Sequence, residues 1–518
     1  MSTISFDELA GRVAVPLTLA HRALRSRTAE AVGLCACLVG GTWVRLASLT
    51  AYSLWHDELY MLITVRRPLI QGLLQQEDYS APLYASLLRV LTHGGKQPEW
   101  LLRAPALIAG CLCIIAAWWL ARTLFGPLIA VLTALVIAIN PMQIAFSYEA
   151  RPYTFFVLFS ILSITFFHRL LKSGGRLNLA AYILSSLLLV YSHYYGLLCV
   201  AAEAVFGILT LAISPVARKH SRQFVIALVV VGVGILPALW LILRFVQAGM
   251  PATAGISGGG FEHWLDLINK VMSTRHVGSL FLIPFLAALW PTRTAFDQPI
   301  AEGNSAGSDL ERWWMRRWPA ILMAIWAGFG MCLLILLARF YRPGLLGYRY
   351  LAPMIIPFLV VSLAYLIRVK RGVLVLAVAV LLYFNVTSHE IFPWSNTGLQ
   401  QLAQHLNSSR DLPERLIVTQ LAYSPDYVNP EEVGLEYYGF NARSFSELRL
   451  AFPMGKRDPR SPDDLIVLNP EVLHSGKGAW VVAYSVYGEK VEECLKKEKL
   501  LYESTAFGQY HLYKIQNS

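Results

Sequence analysis

The chain has 518 residues, of which 56% are hydrophobic and 15% are charged, whereas ordinary globular chains carry about 25% charged residues. Together with a mean hydropathy of +0.49, this composition excludes a soluble enzyme, a disordered chain and a nucleic-acid-binding domain with a conventional solvated surface. The charge is uneven: residues 1–387 hold 31 basic and 16 acidic side chains, and residues 388–518 hold 13 and 17. An apolar, basic body is thus followed by a nearly neutral polar segment.

Apolar stretches recur throughout the basic body. A helix needs about 20 apolar residues to cross a bilayer, and eleven stretches are candidates, two of them short. The candidates are residues 29–51, 104–121, 128–146, 152–171, 179–192, 197–213, 224–243, 277–291, 319–338, 350–367 and 372–387. The first is too long for a cleaved signal peptide, and no small-residue cleavage site follows it. We predict a polytopic α-helical membrane protein with about eleven transmembrane helices.

Lysine and arginine set the predicted orientation, because cytoplasmic loops are enriched in both. Four arginines precede the first span, and every second loop after it is basic. These residues are Arg12, Arg22, Arg25 and Arg27, then Arg122, Arg169, Lys172, Arg176, Arg218, Lys219, Arg222, Arg293, Arg312, Arg316, Arg317, Arg368, Lys370 and Arg371. The pattern predicts a multi-pass protein of the cell (inner) membrane with a cytoplasmic N-terminus and an extracytoplasmic tail. It is typical of membrane loops and does not indicate a nucleic-acid partner.

The polar tail is predicted to form a small α/β domain. Apolar runs at 416–418, 465–468 and 480–483 are typical of buried strands, and residues 395–409 indicate a short helix. We therefore expect a transmembrane domain over residues 1–390 and a C-terminal soluble, extracytoplasmic α/β domain over residues 391–518.

The first external loop, residues 52–103, is long for a plain connector, and below it is called the long loop. Asp57 and Glu58 follow the first span directly, where two carboxylates are costly unless they are solvated or used. An ordinary polar helix end is the alternative. Further on, Asp78 precedes Pro82 and Tyr84. Rich in Trp, Tyr and Pro, this loop is expected to fold as interfacial helices.

Two other predicted external loops are polar. Residues 147–153 contain Glu149 and Arg151, for which an interfacial ion pair is the simple interpretation. Residues 339–350 carry three arginines on the side that positive-inside sorting does not favour: Arg339, Arg342 and Arg349. Binding of an anionic headgroup explains such a cluster, and snorkelling at helix ends is the alternative.

Five short motifs share this predicted external side. They are residues 55–60 (Trp-His-Asp-Glu-Leu-Tyr), Asp78-x-x-x-Pro82-Leu83-Tyr84, residues 148–153 (Tyr-Glu-Ala-Arg-Pro-Tyr), residues 193–196 (His-Tyr-Tyr-Gly) and residues 348–353 (Tyr-Arg-Tyr-Leu-Ala-Pro). In this order they resemble the GT-C type glycosyltransferases that use lipid-linked sugars, such as protein O-mannosyltransferases and aminoarabinose transferases. The likeness is greatest to the bacterial branch labelled PMT-2 or RgtA/B/C/D-like, and it covers about residues 1–390. Ala81 stands where that family usually has the first proline of a pair.

The resemblance implies a GT-C-like fold and transfer of a sugar from a polyprenyl-phosphate carrier to an acceptor hydroxyl, with inversion, on the extracytoplasmic face. It implies that Asp57, with Glu58 beside it, supplies the catalytic carboxylate, which takes the acceptor proton. Other residues of the predicted external loops are expected to bind substrate, and arginine would hold the leaving phosphate. These are Asp78, Tyr84, Glu149, Arg151, Tyr153, His193, Arg342, Tyr348 and Arg349.

The expected enzyme is a hexosyl- or pentosyltransferase. Its expected partners are a polyprenyl-phosphate sugar, membrane lipid and an acceptor glycan, lipid or protein. The sequence requires no cofactor, contains no nucleotide-binding motif and leaves open a divalent cation. A lipid or sugar transporter or flippase is one alternative, although no inverted repeat is visible. An oligosaccharide polymerase or ligase is another.

Overall fold

The computed structural model describes residues 27–74, 81–94, 97–215, 217–247, 261–274, 277–289, 309–340, 348–369, 371–387, 398–409, 415–421, 429–440, 444–451, 466–474 and 479–516. The chain divides into two compact units. The helical unit consists of residues 1–47, 105–244 and 258–391, and the mixed unit of residues 48–104, 245–257 and 392–518.

Twenty α-helices and six strands lie in the described ranges. The helices are α1 Arg27–Ser48, α2 His56–Arg66, α3 Leu69–Leu74, α4 Pro82–Thr92, α5 Glu99–Phe125, α6 Pro127–Ile139, α7 Pro141–Ser147, α8 Tyr153–Ser173, α9 Arg176–Ser192, α10 Gly196–Ile213, α11 Ser221–Gly234, α12 Leu236–Gln247, α13 Phe261–Met272, α14 Leu282–Leu289, α15 Asp309–Phe340, α16 Ile355–Val369, α17 Arg371–Thr387, α18 Leu399–Ser408, α19 Pro430–Tyr437 and α20 Ser485–Lys497. The strands are β1 Arg415–Leu421, β2 Ser444–Ala451, β3 Ile466–Val467, β4 Trp480–Tyr484, β5 Tyr502–Phe507 and β6 Tyr510–Ile515.

Membrane-spanning length distinguishes the apolar helices from one another. Among the described residues, seven helices are long and apolar enough to cross a bilayer, and the bent pair α6–α7 adds an eighth. All eleven predicted stretches coincide with helices, but three of these are shorter: Arg176–Ser192, Gly278–Leu289 and Gly372–Thr387. At 1.5 Å per residue, each falls short of the roughly 30 Å apolar core. The structure thus supports seven or eight full spans in the described ranges, rather than the eleven expected.

The predicted third span is a broken helix. Helix α6 ends at Ile139, α7 begins at Pro141, and the two axes differ by 60°. Pro141 has no N–H with which to continue the hydrogen-bond ladder. Asn140 caps the new helix, because its Oδ1 accepts a bond from the Gln143 N–H at 3.0 Å. The sequence Asn-Pro therefore ends one helix and starts the next.

Arg45 of α1 bonds the carbonyls that this break exposes. Its Nη2 donates to the Ile137 carbonyl at 3.0 Å, and its Nη1 donates to Ala138 at 2.8 Å. Its Nε donates to Ser147 Oγ at 3.0 Å. The side chain is fully buried, so the arginine both pairs the orphan carbonyls and places positive charge at a helix C-terminus.

A six-stranded sheet forms the centre of the tail, in the order β3-β2-β1-β4-β6-β5. Strands β2, β1 and β4 are parallel, whereas β3, β6 and β5 run antiparallel to their neighbours. The predicted runs at 416–418 and 480–483 lie in β1 and β4, and β3 retains two residues of 465–468. The expected short helix is α18. Buried residues such as Ile417, Val481 and Tyr513 form the core of the sheet.

The long loop folds as helices, as expected, and the structure groups it with the tail in the mixed unit. Helix α2 of the loop packs on α19 of the tail at a glycine. A Cβ at Gly434 would lie 2.9 Å from Leu59 Cδ1 and 2.5 Å from Leu399 Cδ2. Real Cβ atoms do not approach so closely, so a larger residue at position 434 would force these two leucine side chains to shift.

Candidate functional site

Helix α2 of the mixed unit carries the paired carboxylates in its first turn. Asp57 is half-buried and Glu58 is 2% exposed. Glu58 turns back to the start of its own helix, where its Oε2 accepts the Trp55 N–H at 3.2 Å. A carboxylate in the first turn is also favoured by the helix dipole.

Glu58 forms a buried ion pair with Arg103. The pair is bidentate: Arg103 Nε donates to Oε1 and Nη2 donates to Oε2, both at 2.8 Å. The same guanidinium donates to the carbonyls of Leu49 and Tyr52 at 2.8 and 2.9 Å. This network holds the turn that leads into α2, so the structure gives Glu58 a clear structural role.

His56 connects the long loop to the tail within the mixed unit. Its Nδ1 lies 3.0 Å from Glu431 Oε1, and its ring stacks on Tyr484 at 5.1 Å. Burial alone would lower the pKa of His56. The charge of Glu431 and its hydrogen bond, with the charge of Asp57, outweigh that effect and raise the pKa. The histidine therefore favours its protonated form beside Glu431.

Of the two other residues predicted in the long loop, Tyr84 and Asp78, the structure describes only Tyr84. Tyr84 is fully buried, and its hydroxyl donates to the Leu102 carbonyl at 3.0 Å. That bond satisfies the donor and holds α4 near the start of α5. Asp78 lies outside the described residues.

In the helical unit, the short loop before α8 is buried. Glu149 is 1% exposed and Arg151 is 7% exposed. The Arg151 N–H donates to the Glu149 carbonyl at 2.7 Å, which makes a tight turn. Tyr153 then begins α8 after Pro152, which needs no N–H partner at that position.

Two arginines distant in sequence meet at the ring of Tyr153. The Cζ of Arg151 lies 5.8 Å from the ring centroid, and the Cζ of Arg349 lies 5.9 Å from it. Such distances are typical of cation–π contacts. Arg349 lies in the 3₁₀ helix Tyr348–Met354. The side chain of Tyr348 and the whole of Arg342 lie outside the described residues.

Aromatic rings surround His193 on the same unit. Its ring stacks on Phe156 at 4.6 Å, and it lies 6.1 Å from Tyr153 and 5.4 Å from Tyr350. Tyr195 in turn stacks on Tyr350 at 4.5 Å. The structure therefore brings together three of the predicted motifs, and their role in substrate binding stays a prediction.

His193 is neutral at physiological pH. Burial, followed by the positive charge of Arg151, lowers its pKa to about 3. The Tyr195 N–H donates to His193 Nδ1 at 3.3 Å, so the proton of the neutral ring lies on Nε2. The cluster therefore combines two fixed positive charges with one neutral ring donor.

Several residues of these arrangements were not predicted, among them Phe156, Arg103, Glu431 and Tyr484. Phe156 follows an apolar helix pattern that carries no signal of a site. Arg103 had a usable signal, because it is a basic residue at the end of a predicted external loop, as Arg349 is. Among the residues that the structure describes, no three His, Cys, Asp or Glu side chains lie close enough together to hold a metal ion.

Comparison with known proteins supports the resemblance predicted from the sequence. Residues 80–242 match the family model PMT_2, described as dolichyl-phosphate-mannose-protein mannosyltransferase. No curated protein matches the chain.

Solved structures match over nearly the whole chain. ArnT from Cupriavidus metallidurans bound to undecaprenyl phosphate aligns with a TM-score of 0.57 and 14% identity over 95% of this chain and 99% of that one. Its apo state aligns with a TM-score of 0.55 and 15% identity over 94% of this chain and 98% of that one. The Archaeoglobus fulgidus oligosaccharyltransferase in complex with Zn and sulfate aligns with a TM-score of 0.48 and 14% identity over 94% of this chain and 73% of that one. The chain thus has the fold of ArnT, as the motifs predicted, and its described residues contain seven helices able to cross a membrane.

Proposed function

We propose that this protein is a glycosyltransferase that moves a sugar from a polyprenyl-phosphate carrier to an acceptor hydroxyl on the extracytoplasmic face, with inversion. The observation that carries the proposal is the pair of guanidinium groups on the Tyr153 ring, 5.8 and 5.9 Å from its centroid. Two guanidinium groups held beside one buried ring concentrate positive charge at one place, and that charge attracts a phosphate. The PMT_2 match and the ArnT fold support the same chemistry.

Arg151 and Arg349 would hold the carrier phosphate as it becomes the leaving group. Guanidinium groups present parallel N–H donors that match phosphate oxygens. As the glycosidic bond breaks, negative charge grows on the phosphate, so these contacts strengthen in the transition state. His193 adds a neutral Nε2–H donor. The aromatic rings of Tyr195 and Tyr350 offer flat apolar faces, which suit a sugar ring.

Asp57 is the proposed general base. It matches the acidic position that the family resemblance implies, and it is half-buried, whereas its neighbour Glu58 is bound to Arg103. In a single displacement, the carboxylate takes the acceptor proton while the hydroxyl oxygen bonds the sugar and the phosphate leaves with the bonding electrons. We therefore assign Glu58 to positioning α2.

The test measures release of free polyprenyl phosphate from polyprenyl-phosphate sugars in membranes that contain the protein. Each arginine contact with phosphate is worth roughly 1.5–3 kcal/mol, so Arg349→Ala should weaken the apparent donor affinity by about 10- to 150-fold. Arg349→Lys should recover only part of this loss. Arg176→Ala, an exposed arginine of the same unit, is the control and should behave as wild type.

Three results would count against the proposal. Equal donor affinity in wild type, Arg349→Ala and Arg349→Lys would remove Arg349 from the site. Donor movement without release of polyprenyl phosphate would indicate a transporter. Release of polyprenyl diphosphate from diphosphate-linked donors alone would indicate a polymerase or ligase.

A further inference from the structure

A basic cavity lies in the helical unit, away from the cluster that Arg151, His193 and Arg349 form around Tyr153. It has a volume of about 340 Å³, within the range of about 300–1,000 Å³ that is usual for ligand sites. Its basic lining residues are Lys172, Lys219, His168 and His220, and none of the described lining residues is acidic. We propose that this cavity binds the phosphate headgroup of an anionic membrane lipid, as a site separate from the proposed transferase chemistry.

His168 lines the cavity and carries a buried donor. The residue is 4% exposed, and its Nδ1 accepts the Trp318 indole N–H at 2.8 Å. Because Nδ1 is the acceptor, the proton of the neutral ring lies on Nε2. That Nε2 is buried and has no hydrogen-bond partner in the described chain. A buried donor without a partner is costly, and a phosphate oxygen in the cavity would satisfy it.

Helix α8 separates the two sites. Tyr153 begins the helix, and His168 lies near its other end. Fifteen residues at 1.5 Å per residue put them about 22 Å apart along the helix axis. The cavity therefore opens at the end of the bundle that carries Lys172 and Lys219, which the basic loops predict to be cytoplasmic.

The lining favours a lipid over a soluble anion. Besides the basic groups, the cavity is lined by apolar side chains, among them Leu171, Trp318 and Pro319. Lysine ammonium groups would hold the phosphate, while the apolar wall would pack against the start of the acyl chains. Basic pockets between helices on the cytoplasmic side are suited to anionic headgroups, since that leaflet is negatively charged.

The test uses the purified full-length protein in nanodiscs of phosphatidylcholine with rising fractions of phosphatidylglycerol. Native mass spectrometry counts the phosphatidylglycerol molecules that each protein retains. Each lysine is expected to contribute about fivefold to the affinity for phosphatidylglycerol. The double variant Lys172→Gln/Lys219→Gln should therefore weaken retention of this lipid about 10- to 30-fold. Its control is Arg176→Gln/Arg222→Gln, which removes the same charge from exposed positions outside the cavity and should change retention less than about twofold.

His168 variants separate the donor from the surrounding charge. His168→Phe keeps the ring but removes Nε2–H, so it should lose the retained lipid. His168→Gln keeps one donor and one acceptor and should retain it in part. Equal retention in wild type, the lysine variant and His168→Phe would overturn the proposal. Displacement of the lipid by an equal concentration of inorganic phosphate would identify a soluble-anion site and would also overturn it. Should His168→Phe fail to fold, His168→Gln and the lysine variants still decide.

Discussion

Asp57 and Glu58 are neighbours in the sequence, yet their surroundings differ. Adjacent residues of a helix point about 100° apart. Glu58 therefore meets Arg103, whereas Asp57 keeps partial exposure at the start of α2. Sequence alone could not distinguish the two carboxylates, because the distinction depends on an arginine 45 residues further along the chain.

The two variants Asp57→Asn and Glu58→Gln should therefore fail for different reasons. Asp57→Asn removes the basic oxygen and should lower the transfer rate at least about 100-fold, as loss of a general base does, with unchanged thermal stability. Glu58→Gln leaves the buried Arg103 with only the longer contact to Glu99, at 3.5 Å, and should cost about 3–5 kcal/mol of stability. Transfer assays and thermal melts on the same preparations measure both. Full turnover by Asp57→Asn would contradict its assignment as the base.

Among the elements, the broken helix α6–α7 depends most on one side chain. Replacing Arg45 by Met keeps an apolar stem but removes every donor to the carbonyls of Ile137 and Ala138. Each buried carbonyl left unpaired costs about 1–3 kcal/mol, so we expect Arg45→Met to lose about 2–6 kcal/mol of unfolding free energy. Unfolding by SDS titration in mixed micelles measures this loss. Arg222→Met, at an exposed position, is the control, and an equal effect of both variants would contradict the structural role of Arg45.

The contact between α2 and α19 should depend on pH. The folded state raises the pKa of His56 above its ordinary value of about 6.5. Its ion pair with Glu431 therefore stabilises the contact fully below about pH 6.5. This stabilisation is lost as the pH rises through the raised value. Amide exchange of α2 and α19 should show wild type better protected than Glu431→Gln at about pH 6, and less so at about pH 8.5. A constant difference between the two proteins would contradict this.

Hydropathy predicted the positions of the apolar helices, because membrane insertion depends on runs of apolar residues. The count of eleven spans is not confirmed, because the described parts of α9, α14 and α17 are apolar but shorter than a full span. In the sheet, β4 was predictable since all but its last residue are buried, whereas β5 was missed because its central four residues are exposed and three of them are polar. From the sequence, Arg151 and Arg349 could be predicted only to lie on the same side of the membrane. Their convergence on Tyr153 could not be predicted, because it depends on tertiary packing.

At the scale of the whole molecule, orientation in the membrane stays a prediction with a direct test. Cys494 is buried, so an impermeant thiol reagent would not report on the native tail through it. Lys497 and Arg176 are both exposed. In intact cells, Lys497→Cys should react with an impermeant maleimide, and Arg176→Cys should react only after lysis. The opposite pattern would reverse the predicted topology.

The mixed unit joins segments from distant parts of the chain, and this has a consequence for biosynthesis. His56 and Leu54 bond partners in the tail that lie 375 and 384 residues later. A ribosome that has delivered the long loop must therefore synthesise most of the remaining chain before α19 exists. During that interval, the apolar surface of α2 is not yet packed against α19. Contacts between residues so far apart in the sequence form slowly. We expect a nascent chain arrested before Pro430 to hold its helices in the bilayer while its long loop is open to proteases and chaperones.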